Sequence, residues 1–400
     1  MMALTVFIDI AGFGLILPLL PFWAEKLGAN PAQVGLILTV YALAQFLFTP
    51  LLGSLSDRFG RKPVIIGSLL IEALSFALTA LSGALWMLLA ARFIGGMGAS
   101  NIGTAQAVVA DTTPPEKRAR GMGLIGASIG LGFVIGPAVG GALSGIGAAL
   151  PFWVAMAVAL ANAALALALL PETRKARSGA ATKARVAPLA GWRRTLRDPA
   201  LARLVTINLL FTLAFTAMET VFPLFTQQAY GWMARENGYI FTYVGMIVVL
   251  TQGGLVGQIV RRIGERATMI LGLGLLAVGL LLLPLGTALW ALLVALALLS
   301  AGDGAVTPSS SALLSFAAPE DAQGATLGVA QGMAGLGRVI GPVTAGALYG
   351  AFGPASPFMA GGALALAALL IALPHLPGPR ERKTAPTADS RVQTEEASVA

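Results

Sequence analysis

The chain has 400 residues, 56% of them hydrophobic and only 11% charged, well below the charge content of soluble domains. With no cysteine and a single histidine, His375, it excludes a disulfide framework, a thiolate metal site and a His-rich metal cluster. A formal charge of +8 signals nucleic acid only when it covers a soluble face, and here the cations lie between apolar runs.

Those runs are about 20 residues long, the length a helix needs to cross roughly 30 Å of hydrocarbon. The short alternating segments of a β-barrel are absent. Gly/Pro clusters and charges divide the chain into runs at 3–24, 32–53, 63–82, 85–109, 121–145, 150–170, 201–226, 238–259, 267–286, 288–314, 325–350 and 355–376. The expected fold is an all-α membrane protein of twelve transmembrane helices. The first run lacks a basic flank and reads as a spanning helix, not a cleaved leader.

In chain order, "FIDIAGFGLILPLLPFW" places Asp9 in an apolar helix made bendable by Gly12, Gly14, Pro18 and Pro21. "GSLSDRFGRK" after the second run puts Asp57, Arg58 and Arg61 on a short loop. Helix four carries Arg92 in "RFIGGMGA", about 10 Å in from the outer face and costly unless it meets a polar interior. On helix five, "GLGFVIGPAVGG" supplies Gly132, Gly136, Gly140 and Gly141 for close packing, with Pro137 as a bend.

Residues 172–200 are polar and basic. They read as a linker between an amino-terminal bundle (1–171) and a carboxyl-terminal bundle (201–377), followed by a polar, disordered tail (378–400). Within the linker, "GWRRTLRDP" is either a surface helix or a loop, and Asp198 and Pro199 form an N-cap and first turn. The bundles repeat: "GSLSDRFGRKP" from residue 53 aligns with "GQIVRRIGERA" from 257, and "GPAVGGAL" from 136 with "GPVTAGAL" from 341. Parallel duplication is a transporter signature. Of the 26 Lys and Arg, all but Lys26, Arg92, Arg235 and Arg338 fall in loops on one side, which predicts cytoplasmic amino and carboxyl ends in a cell (inner) membrane.

Four carboxylates interrupt spans: Asp9, Glu72, Glu219 and Asp303. Buried acids of this kind are expected to face a wet interior and serve a function. Counting along the helices puts Asp303 and Arg338 within roughly 3 Å of the midplane, a candidate ion pair. Glu219 falls about 6 Å outward, Asp9 about 7 Å inward and Arg92 about 7 Å outward, so an Asp9–Arg92 pair is too long.

Together "DIAGFGLILPLLP", the Asp57 loop, "RFIGGMGA" and the helix-five glycines resemble the major facilitator superfamily, and within it the twelve-helix drug/proton antiporters. The resemblance implies two pseudo-symmetric six-helix bundles with helices one, four, seven and ten around a central cavity. It implies proton coupling through Asp9, Arg92, Glu219, Asp303 and Arg338, with Glu72 expected at the lipid side on helix three. It also implies a cytoplasmic gate of Asp57, Arg58, Arg61 and Asp111, in which Asp57 engages the amino end of helix eleven and Arg61 reaches Asp111.

Substrate-cavity candidates are Tyr41, Gln45, Asn101, Gln106, Phe211, Phe215, Met218, Phe222 and Tyr243, each with core packing as the alternative. The expected function is proton-coupled export of amphipathic, drug-like molecules by a monomer. Its partners are a small-molecule substrate and the lipid bilayer, with no cofactor beyond the proton, no nucleic acid and no enzyme activity. A same-fold transporter of sugars or other metabolites is the alternative.

Overall fold

The computed structural model describes residues 1–99, 102–113, 118–172, 188–286, 288–319 and 323–373. Asn101, the Asp111 side chain, residues 173–187 of the linker, His375 and the tail lie outside them. The described residues form fifteen α-helices. They run α1 Met2–Ile16, α2 Leu20–Lys26, α3 Pro31–Phe59, α4 Arg61–Ala80, α5 Leu85–Gly98, α6 Ile102–Thr112, α7 Arg118–Ser144, α8 Leu150–Leu169, α9 Pro188–Arg197, α10 Pro199–Tyr230, α11 Ala234–Leu250, α12 Val256–Leu282, α13 Leu289–Ala317, α14 Gln323–Phe352 and α15 Ser356–Ala372.

These make twelve membrane crossings. The first is α1 and α2 joined by a 3-10 turn at Leu17–Leu19, where Pro18 removes a backbone donor. The fourth joins α5 and α6. The eighth runs from α11 through a π-helical turn, Thr251–Leu255, into the start of α12, and the ninth is the rest of α12. The uninterrupted apolar stretch Ala234–Leu282 is two crossings because Gly264 breaks it at φ 80° and ψ 166°. Its repeat partner Gly60 turns the chain between α3 and α4 at φ 109° and ψ 158°. Internal duplication in the sequence is thus a matched pair of positive-φ glycine turns, a conformation that disfavours any side chain.

Two ends can be told apart by charge. The carboxyl ends of α3, α6, α8 and α13 and the Gly264 turn lie at one end, the one flanked in the sequence by the basic clusters, and the segments at the opposite end are nearly free of cations. Trp86 and Trp290, equivalent positions in the repeat, are 70% and 72% exposed near that far end, where indole rings anchor helices at a membrane interface.

At the far end the bundles seal by backbone contact. A Cβ on Gly35 of α3 would stand 2.2 Å from the Pro342 carbonyl of α14, and one on Gly346 2.3 Å from the Pro31 carbonyl of α3. On the other seam, Gly238 and Gly245 of α11 press on Pro137, Gly141 and Phe133 of α7. Glu25 of α2 and Gln227 of α10 line one cavity there, and the Tyr349 hydroxyl of α14 donates to Gln228 Oε1 of α10 at 2.9 Å.

Toward the basic end the same helices part. Gly53 of α3, Gly123 and Gly126 of α7, and Gly324 and Gly328 of α14 have nothing within 4 Å of a built Cβ, while Leu51, Leu55 and Leu124 are exposed. The molecule is closed at its far end and open at its basic end. Helix α9 follows the linker and packs its Trp192 ring on Gly332 of α14, so this segment is a helix docked on the carboxyl-terminal bundle.

Candidate functional site

In the amino-terminal bundle the polar interior is built by glycines. On α5, Gly95 lies against Ser75 of α4, Gly96 against the Tyr41 carbonyl of α3, and Gly98 against the α4 backbone at Ser68 and Glu72. Side chains there would hold the helices apart. The close approach carries Arg92, 1% exposed, into the bundle. Its Nη2 donates to Ser75 Oγ at 2.9 Å and Thr79 Oγ1 at 2.7 Å, and its guanidinium carbon lies 5.9 Å from the Tyr41 ring centroid. Arg92 Nε has no partner among the described residues.

Asp9 on α1 is 8% exposed and lies within electrostatic reach of Glu72 of α4, which is 2% exposed. Glu72 therefore does not face lipid as the helix-number argument expects. α4 turns it inward, where it lies within electrostatic reach of Asp9, Arg92 and Tyr41. Glu72 and Tyr41 are each in reach of both Asp9 and Arg92.

In the carboxyl-terminal bundle, Glu219 of α10 lies within electrostatic reach of Asp303 of α13 and Arg338 of α14. Among the described residues Asp303 and Arg338 form no ion pair, so that expectation is corrected. Depth along a helix gives one coordinate only, and it is Glu219 that lies within electrostatic reach of Arg338. Arg338 is exposed, on a face of α14 between the one packed on α3 (Gly335, Pro342, Gly346) and the one packed on α10 (Gly337, Gly341).

At the basic end, Arg61 Nη1 pairs with Asp57 Oδ1 at 2.7 Å and bonds Ser56 Oγ at 2.6 Å, while the Asp57 side chain stays 69% exposed. Arg58 lies over the Phe59 ring. A residue the sequence argument missed completes this turn: the Glu172 carboxylate, at the end of α8, accepts from the amides of Arg61 (3.0 Å) and Lys62 (3.2 Å). It caps the amino end of α4, where a negative charge is favoured. Gly60 leaves the room, since its Cβ would stand 2.5 Å from Glu172 Oε2.

Of the remaining candidates, Gly132, Gly136 and Gly140 pack α7 on Ile10, Ala11 and Leu15 of α1, Pro137 meets Gly14, and Gly141 meets α11. Phe211, Met218 and Phe222 are buried in the carboxyl-terminal core, with Phe222 edge-on to Phe241, so core packing describes them in this state. Phe215 is half-buried, and Tyr243 donates its hydroxyl to the Leu293 carbonyl at 3.1 Å. Gln45 Nε2 donates to the Ala99 carbonyl, and Gln106 is exposed. A cavity of about 840 Å³, unforeseen from sequence, opens at the far-end seam among Trp23, Glu25, Lys26, Trp232, Arg235 and Glu236.

The family model described as Major Facilitator Superfamily matches residues 2–270 and 253–398. The chain is 32% identical to the tetracycline resistance protein, class C, of Escherichia coli over 350 residues, covering 87% of this chain and 88% of that one. It is 30% identical to multidrug resistance protein 2 of Bacillus subtilis (strain 168), covering 86% and 87%. Among solved structures, the human organic anion transporter MFSD10 (TETRAN) superposes with a TM-score of 0.70 at 27% identity, covering 93% of this chain and 97% of that one. The nucleoside transporter NupG superposes at 0.76 with 14% identity, covering 93% and 96%, a likeness of fold.

Proposed function

Because the chain belongs to the major facilitator superfamily, we propose that it exports amphipathic, drug-like small molecules across the membrane in exchange for protons. The observation that carries this reading is the pairing of a polar, carboxylate-bearing interior with bundles that are sealed at one end and parted at the other. The names of the tetracycline and multidrug resistance relatives support the substrate class.

On this reading the basic end is cytoplasmic, both termini lie there, and the structure stands ready to load substrate from the cell interior. Glu219 and Asp303 exchange protons with substrate in the carboxyl-terminal bundle, next to Arg338. Asp9 relays at the inner mouth and Arg92 holds the counter-charge. When the basic end closes, Asp57 leaves its local pair with Arg61 for the amino end of α14, where the helix dipole favours it. The transporter works as a monomer, with the proton as its only coupling partner.

Everted vesicles test the proposal. An inward proton pump should drive ethidium or tetracycline into vesicles carrying this protein, and an uncoupler should abolish the accumulation. Undiminished transport in both Glu219→Gln and Asp303→Asn removes those acids from the mechanism. Uncoupler-insensitive movement of sugars in place of the drugs overturns the export reading.

A further inference from the structure

We infer that the cavity at the far-end seam is a binding site for an amphipathic zwitterion, a molecule joining an anion and a cation to an apolar body, and that the bound molecule holds the far end shut. The inference goes beyond the export reading and does not depend on it. Three observations carry it.

The first is where the walls come from. On one side stand α2, with Trp23, Glu25 and Lys26, and the turn after α7; on the other stand the end of α10 and the start of α11, with Trp232, Arg235 and Glu236. The volume of about 840 Å³ is that of a site for a drug-sized ligand. Each half of the wall is fixed from behind. Trp23 donates its indole N–H to Ser82 Oγ at 2.9 Å and lies edge-on to Phe152, while Trp232 stacks on Tyr230, whose hydroxyl donates to the Gly286 carbonyl at 2.8 Å. A Cβ on Gly141 of α7 would stand 2.8 Å from the Arg235 carbonyl, so the first turn of α11 is pinned as well.

The second is the charge. Each bundle contributes one acid and one base side by side in the chain, Glu25 and Lys26 from one, Arg235 and Glu236 from the other. The Lys26 ammonium stands 5.1 Å from the Trp23 ring centroid, and Glu236 Oε2 accepts from the Met233 amide at 2.9 Å. Among the described residues no ion pair joins the four across the seam, although the far end is closed. Opening only moves them further apart, so they do not act as a latch on each other. A cavity with two charges of each sign gains little from a simple ion, which meets repulsion along with attraction. A zwitterion finds a counter-charge for its anion on one bundle and for its cation on the other, whichever way round it lies.

The third is the apolar remainder. Leu19, Phe22 and Met233 complete the lining beside the two indoles, a surface suited to an acyl chain or a ring. Because the lining is divided between the bundles, parting them dismantles it. The ligand therefore binds the far-end-closed state and draws molecules into it.

The test is equilibrium binding of dihexanoylphosphatidylethanolamine, a short-chain zwitterion, to the whole protein in phosphatidylglycerol nanodiscs, with empty discs subtracted. It should bind saturably, at least tenfold tighter than hexyl phosphate or hexylammonium. The double variants Lys26→Gln/Arg235→Gln and Glu25→Gln/Glu236→Gln should each lose at least tenfold in affinity. Equal affinity for the three probes, or wild-type affinity in either double variant, overturns the inference. Should a double variant fail to fold, the ranking of the probes on the wild type still decides. Blocking of the probe by phosphatidylethanolamine built into the disc assigns the site to a lipid headgroup, and unchanged affinity assigns it to a soluble zwitterion. The hold on the far end is read in Thr39→Val, which lacks the hydroxyl bonded to the Val339 carbonyl across the seam. There the probe should lower the far-end-open fraction, measured by spin labels on α3 and α14, at least threefold; an unchanged distribution refutes the hold.

Discussion

Thr39 and Val343 join the two bundles inside a helix. The Val343 amide of α14 donates to Thr39 Oγ1 of α3 at 3.1 Å, and the Thr39 hydroxyl donates to the Val339 carbonyl at 2.8 Å. A hydroxyl from one bundle is thus inserted into the i to i−4 ladder of the other, next to Pro342, where the helix has already lost a donor. When the far end opens, the Val343 amide can return to Val339 and neither group is orphaned. Thr39→Val should therefore fold normally and lose only the clasp, worth about 1 kcal/mol or a fivefold shift toward far-end-open molecules. The chain has no cysteine, so spin labels on one introduced cysteine in each of α3 and α14 report that distance without background.

Gly35→Ala should act on the same seam more severely. Its methyl would stand 2.2 Å from the Pro342 carbonyl, a clash with backbone that no rotamer relieves. Overpacking of this kind costs about 1–3 kcal/mol and falls only on the closed far end. The expected result is a larger shift in the label distance than for Thr39→Val, with drug export reduced. Gly350→Ala, with nothing within 4 Å, should leave both readings unchanged.

Glu172→Gln tests the cap on α4. The substitution keeps an acceptor for the Arg61 and Lys62 amides but removes the charge that the helix end favours, whereas Glu172→Ala removes both. Glu172→Ala should cost about 1 kcal/mol and Glu172→Gln clearly less. Thermal unfolding in detergent gives the order. Equal losses would show that the charge, and not the hydrogen bonds, does the capping.

Trp192→Ala should release the linker helix. The indole packs on Gly332 of α14, and Thr195 is also buried on α9. Amide exchange over Pro188–Arg197 should accelerate at least tenfold while exchange in α14 changes little. Uniform exchange in both proteins would mean that α9 is held by the membrane surface instead.

The twelve crossings and the duplication are legible because each rests on a one-dimensional signal: run length, charge in loops, and repeated glycines at 60 and 264. Rotation about a helix axis is not legible. In an all-apolar span nothing in the residue order marks which face is inside, so helix number alone sends Glu72 to lipid and depth alone pairs Asp303 with Arg338. Glu172 escapes for another reason. It caps a helix more than a hundred residues away in the chain, and an exposed glutamate at a span end looks like any solvated loop residue. Spacing marks the glycines of α5 and α7 as packing faces, but their partners follow only from the placement of the helices.

At the far-end seam glycines bring main-chain atoms of the two bundles into direct contact, with Leu20, Val34 and Ile37 packed beside them. Surfaces of that kind constrain what can change over generations very unevenly. Residues lining the space between the bundles can be exchanged one by one as different compounds are met, because the joint on which the halves turn does not depend on them. The joint itself has almost no neutral neighbours, since nearly any added carbon collides with backbone. A lineage built this way is free to broaden what it carries while keeping how it moves.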